Sequence, residues 1–169
     1  LDMQGRPFNS AVEPENWWHN ALEGEIALAA GDLEKAASAF SAGHPSRKMW
    51  FSTRHANLAI LANNLISRDG LARVAKARGD LPRAIQIYRE LLSSGADQKW
   101  VSVFEPRYVM EIARLLDRSG NKQAALKDYE RFLDFWKRAD SGLPELSEAR
   151  RAVERLRPLA RGDSTSSDK

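Results

Sequence analysis

Three stretches decide the fold: GDLEKAASAF (31–40), GDLPRAIQIY (79–88) and GNKQAALKDY (120–129). Each opens on a glycine and a small capping residue, with an alanine five positions on and an aromatic nine positions on. The sets are Gly31, Ala36 and Phe40; Gly79, Ala84 and Tyr88; Gly120, Ala125 and Tyr129. A small residue stands seven positions before each glycine (Gly24, Ala72, Ala113), and Ala or Leu stands four before it (Ala27, Ala75, Leu116). A glycine at the end of a helix-like segment suits the left-handed residue that terminates a helix. Asp32, Asp80 and Asn121 suit the N-cap of the next helix. The pattern predicts a helix, a tight turn and an antiparallel helix, three times over. Paired helices approach closely only where a side chain is small, and a ring one turn later fills the wedge beyond. Each hairpin leaves an apolar face, so the hairpins must stack and be sealed at the ends.

A length of 169 residues with 43% apolar residues suits one domain with a real core. The absence of cysteine excludes disulfides, thiolate catalysis and Cys-ligated zinc, and fits a cytoplasmic setting. No apolar run approaches the roughly 20 residues of a membrane span, and LDMQGRPFNS (1–10) lacks the pattern of a signal peptide. Because the sequence begins at Leu1 rather than Met, it reads as part of a longer product. The 26 Lys and Arg and 23 Asp and Glu, net charge +3, are interspersed as on a solvated helical surface, which disfavours nucleic acid as the partner. The terminal RGDSTSSDK (161–169) is polar and reads as a tail, its Arg-Gly-Asp triplet matching an adhesion tripeptide only by letters.

In these residues the chain resembles the tetratricopeptide repeat family, over roughly residues 15 to 157. The resemblance departs at the start of the first helices, where Asn20, Arg68 and Val109 replace a large residue. The aromatic usual four before the turn is missing. The turn glycines are 48 and 41 residues apart, against about 34 in a regular repeat, so both inter-repeat connections carry insertions. ANNLISRDGLARVAKARGDLPRAIQIYRELL and EPRYVMEIARLLDRSGNKQAALKDYERFLDFWKRADSGLPEL are also similar to the C-terminal repeat segments of large bacterial signalling proteins. There such repeats follow a serine/threonine kinase, a nucleotide cyclase or a transcription-activator module.

The expected fold is all-α: a right-handed superhelical stack of antiparallel helix hairpins with a C-terminal capping helix. An N-terminal extension (1–14) precedes repeats near 17–43, 65–95 and 106–137. The capping helix spans 144–157, where Leu146, Ala149, Val153 and Leu156 share one face, and a flexible tail covers 158–169.

A search for chemistry finds no catalytic constellation, metal site or cofactor motif. His19, His44 and His55 lack partners at ligand spacing, the glycines stand singly rather than in a phosphate loop, and no serine pairs with a base. A non-catalytic interaction scaffold is the expected function. The resemblance implies that the first helix of each hairpin lines a groove. This places Trp18 and Glu25, then Ile66, Asp69, Arg73 and Lys76, then Arg107, Met110, Arg114 and Arg118 along it. Its C-terminal half would be net positive and suit an acidic or phosphorylated protein segment, or the same Arg residues would pair internally and merely solvate the groove. The family's carboxylate clamp is not reproduced: its positions hold Ala21, Glu25, Gly70, Arg107 and Glu111, of which only Arg107 has the right charge. The insertions offer a second surface through Trp50, Phe51, Trp100 and Phe104, which either fold back onto the stack or meet a partner. Trp17 and Trp18 suggest that the array continues before Leu1. Alternative readings are a homodimerisation or structural module packed on an upstream catalytic domain, and a nucleotide- or nucleic-acid-sensing groove.

Overall fold

The computed structural model describes residues 14–42, 65–93, 101–138 and 142–163. Among these the protein is all-helical: α1 (Pro14–Ala29), α2 (Leu33–Ala42), α3 (Leu65–Ala77), α4 (Leu81–Leu92), α5 (Val101–Arg118), α6 (Lys122–Phe135) and α7 (Pro144–Asp163). The chain divides at a turn glycine into two compact units, Leu1–Arg78 and Gly79–Lys169, and each is taken by itself.

The three turn glycines have positive φ, 79°, 79° and 85° at Gly31, Gly79 and Gly120. Around Gly31 the Asp32 amide donates to the Ala27 carbonyl at 2.9 Å and the Gly31 amide to Leu28 at 3.1 Å. Around Gly120, Asn121 donates to Leu116 at 3.0 Å and Gly120 to Asp117 at 3.2 Å. This pair of bonds is the Schellman closure, which satisfies the last carbonyls of a helix and needs a left-handed residue to do so. The following residue then caps the next helix. Asp32 accepts from the Lys35 amide at 3.0 Å, Asp80 from Arg83 at 3.1 Å and Asn121 from Ala124 at 3.3 Å.

In the first unit α1, α2 and α3 close on Phe40, which is fully buried with Ala27, Ala36 and Val74 around it. Its ring lies against two glycines, one on α1 and one on α3. A Cβ at Gly24 would lie 2.6 Å from the ring, and one at Gly70 only 2.5 Å from it. The Arg73 guanidinium lies over the same ring, 5.9 Å from its centroid. Arg78 fixes the end of α3 to the start of α2, donating to the Leu33 carbonyl at 3.3 Å and pairing with Glu34 at 2.7 Å.

In the second unit α4 packs on α5, α5 on α6 and α6 on α7. The rings of Tyr88 and Tyr108 sit 5.5 Å apart, and Phe104 stacks on Tyr108 at 6.2 Å. Ala84, Ala113 and Ala125 are fully buried where the sequence places small residues. The expected stripe of α7, Leu146, Ala149, Val153 and Leu156, is buried. This helix runs past the expected end at Arg157 to Asp163, through Pro158. A proline forfeits one backbone hydrogen bond, and here that loss leaves the last turns intact. Likewise α5 begins at Val101, ahead of the expected 106, with Pro106 inside it.

Alanine at Gly70 gains about 1 kcal/mol of helix propensity. A Cβ 2.5 Å from the ring overpacks the core, a fault that costs about 1 to 3 kcal/mol. At so short a distance the clash wins, so Gly70→Ala should lower the thermal midpoint. Gly142→Ala, where a Cβ meets nothing within 4 Å, should leave the midpoint unchanged. Equal melting of both variants and the wild type would show that Phe40 is not wedged. Ala84→Leu at the buried position of α4 should cost about 1 to 3 kcal/mol for the same reason, read from the shift of a denaturant midpoint.

Candidate interaction surface

Glu25, Arg73 and Arg114 each stand six residues before a turn glycine, and the structure spends their charges internally. In the first unit Arg73 donates through Nη1 to Glu25 Oε2 at 2.9 Å, through Nη2 to Glu25 Oε1, and through Nε to Asp69 Oδ2 at 3.0 Å. Asp69 is buried and Arg73 half-buried, so this bidentate fork joins α1 to α3 in a partly dry setting. In the second unit Arg114 donates through Nε and Nη2 to Glu148 at 2.8 and 2.6 Å, and through Nη1 to Glu111 at 2.5 Å. The fork thus ties α5 to the closing helix α7. One turn on, Asp117 accepts from Lys122 Nζ at 2.7 Å and from the Arg155 guanidinium.

These bonds set the protonation of the network. The hydrogen bond from Arg114 holds the Glu148 carboxyl below its ordinary value, against the opposing effect of burial. Burial works against ionisation of Asp117, yet the bonds from Arg155 and Lys122 outweigh it and hold that carboxyl low as well. The hydrogen bond from Glu148 raises Arg114, which stays charged throughout. Burial, aided by Asp117 and Glu148, pushes the Tyr129 phenol up to about 12.

Beside the Arg114 fork lies a pocket of about 420 Å³. Arg107, Met110, Glu111 and Arg114 line it from α5, Phe132 and Trp136 from the end of α6, and Leu143, Glu145 and Leu146 from the start of α7. Met110, Phe132 and Leu146 are buried and make an apolar floor. Trp136 and Leu143 remain 38% and 37% exposed at its edge, and Arg107 is exposed there too. The site therefore combines apolar depth with charged groups of both signs, and it can take an apolar side chain whose neighbours are polar.

The expected groove residues fall in both units. Ile66 is exposed, Asp69 buried and Lys76 half-buried in the first, where Trp18 lies on α1 with its side chain outside the described residues. Arg107, Met110 and Arg114 come together in the pocket, while Arg118 is exposed at the end of α5. Phe104 stands on α5, partly exposed and stacked on Tyr108. Trp50, Phe51 and Trp100 lie outside the described residues, as do His44 and His55. The sequence reading passed over Trp136, Leu143, Phe132 and Glu145. Their signal was the Phe135-Trp136 pair, two large apolar residues closing a helix just before a connection. Among the described residues no group of three His, Cys, Asp or Glu could hold a metal ion, and no helix is long and apolar enough to cross a membrane.

Glu148 and Asp117, low in the folded chain, titrate higher when it unfolds, so the unfolded state binds more protons as the solution is acidified. The stability they lend is complete above about pH 4.5 and drains as pH falls through their folded values. The thermal midpoint should therefore drop on acidification. Glu148→Gln should melt lower than wild type at neutral pH and lose less between about pH 5 and 3; parallel acid profiles would remove Glu148 from this role.

Compared with protein-family models, with curated proteins and with solved structures, the chain matches none.

Proposed function

We propose that the chain is a non-catalytic, tetratricopeptide-like interaction module that binds a segment of another protein through the pocket between α5, α6 and α7. The observation that carries this reading is the pocket itself. A floor of Met110, Phe132 and Leu146 is left open beside a half-exposed indole, with Arg107 at the edge. Buried apolar anchors set beside a polar rim supply most of the energy of protein recognition, with Trp and Arg the most frequent contributors. The segment inserts one aliphatic or aromatic side chain and places a carboxylate or phosphate against Arg107. Of the cations read from sequence, Arg73 and Arg114 are committed to Glu25, Asp69, Glu111 and Glu148. That commitment also weighs against a nucleic-acid role, which needs several cations directed outward. The resemblance in the repeats supports reading the module as part of a bacterial regulatory protein, and the lack of cysteine fits a cytoplasmic setting.

Selection of displayed random peptides on the whole chain, followed by titration of the enriched sequences, tests this reading. The enriched peptides should share an apolar residue next to an acidic one. Trp136→Ala and Arg107→Glu should each weaken them by about tenfold or more, with the circular dichroism melt unchanged. Peptides bound equally well by Trp136→Ala, or no enrichment at all, would overturn the assignment of the pocket.

A further inference from the structure

Arg89 of α4 and Lys127 and Arg131 of α6, all three exposed, line a cavity of about 530 Å³ in the second unit. Leu92, Ile112 and Ala124 give it an apolar floor from α4, α5 and α6 in turn. Arg131 is already engaged: it pairs with Glu105 and lies over the Phe135 ring, 5.7 Å from its centroid. Arg89 and Lys127 differ from it, and from Arg73, Arg114 and Arg155, whose forks are spent on carboxylates. Among the described residues neither of their side chains has a hydrogen bond or an ion pair.

One acid stands among these cations. Asp128 is half-buried in the same cavity and accepts no hydrogen bond from a described residue. Burial raises its carboxyl above the ordinary value, against the pull of Arg131, Arg89 and Lys127. With Glu105 counted, three positive and two negative groups meet here, so the balance is positive. A ligand that fits must meet two demands. It brings negative charge to Arg89 and Lys127, and it shares a proton with Asp128, since two bare oxyanions in contact repel. A carboxylate has no such proton near neutral pH, and neither has a sulfate ester or a phosphodiester. A phosphate monoester has one, because its second ionisation falls at about pH 6. The apolar floor and the size of the cavity leave room for an organic body behind the phosphate.

We propose that this cavity binds the phosphate of an organic monoester, with Arg89 and Lys127 taking its charge, its body lying on Ile112 and Ala124, and one proton shared between a phosphate oxygen and Asp128. A dianion entering the site takes up that proton from solution. The cavity shares no lining residue with the pocket beside α7 and does not depend on it. A free phosphate ester and a phosphorylated serine side chain carry the same group, and the experiment separates them.

Isothermal titration calorimetry of the whole chain with phenyl phosphate, phenyl sulfate and a phosphoserine peptide tests the proposal. One or both phosphates should bind, the tighter marking the source as a free ester or a protein segment, and phenyl sulfate should bind at least about tenfold more weakly. At about pH 7.5, above the second ionisation, two buffers of different ionisation enthalpy should give heats that differ by the uptake of a proton. Arg89→Ala and Lys127→Ala should each weaken the phosphate at least about tenfold with the thermal midpoint unchanged, because both side chains are exposed. Asp128→Asn, whose amide donates without titrating, should lose the proton uptake and the discrimination against sulfate. No binding of either phosphate up to about 10 mM, equal affinity of the wild type for phenyl sulfate, or full affinity in Lys127→Ala would overturn the proposal. Tighter binding of a single-stranded oligonucleotide than of either phosphate would overturn it in favour of a nucleic-acid surface.

Discussion

A chain that reverses within three residues forces its two helices to lie side by side from the first turn, and this closeness is the constraint on which the structure rests. Gly31 and Gly120 make the reversal possible by taking up the left-handed backbone. Everything near the turn must then be small, which is why Ala36, Ala84 and Ala125 are fully buried. Farther out the helices diverge and a ring fills the space: Phe40, Tyr88 and Tyr129 are all buried. Turn, alanine and ring are three consequences of one geometry, spaced by the helical repeat.

The same geometry explains how much of the fold the sequence disclosed. Turn glycines, caps and crossing alanines are local, each determined by residues within ten positions, so their spacing could be read directly. The apolar stripe of α7 was legible because its period alone marks a covered face. The charge pairs were not, because Arg73 and Glu25 are 48 residues apart and Arg114 and Glu148 are 34 apart. An arginine in a string of letters does not say whether its fork is spent inside the molecule. The pocket was illegible for a related reason: three helices build it, and only Arg107, Met110 and Arg114 belong to the helix face that the repeat pattern singles out.

Arg73 and Arg114 occupy equivalent places and do equivalent work, though they take their partners from opposite directions. Arg73 reaches back to α1 and Arg114 forward to α7. Each couples helices separated by a full hairpin or a connection, where no tight turn enforces contact. Half-buried, bidentate pairs of this kind fix orientation more than they add stability. The closing helix α7 is held by such a fork in addition to its apolar stripe, and the pocket wall is therefore formed by a group that also fixes its shape.

The packing of Phe40 against two glycines has a consequence for how such a chain can grow. The position nine before the turn holds Leu22, Gly70 and Glu111 in the successive repeats. At the second, the ring of the hairpin before it lies so close that a single Cβ would come within 2.5 Å. Duplicating the first hairpin in tandem would present Leu22 to Phe40, which leaves the ring no room. The three hairpins are alike in outline yet keyed to their order, so an added unit must either change Phe40 or carry its own glycine.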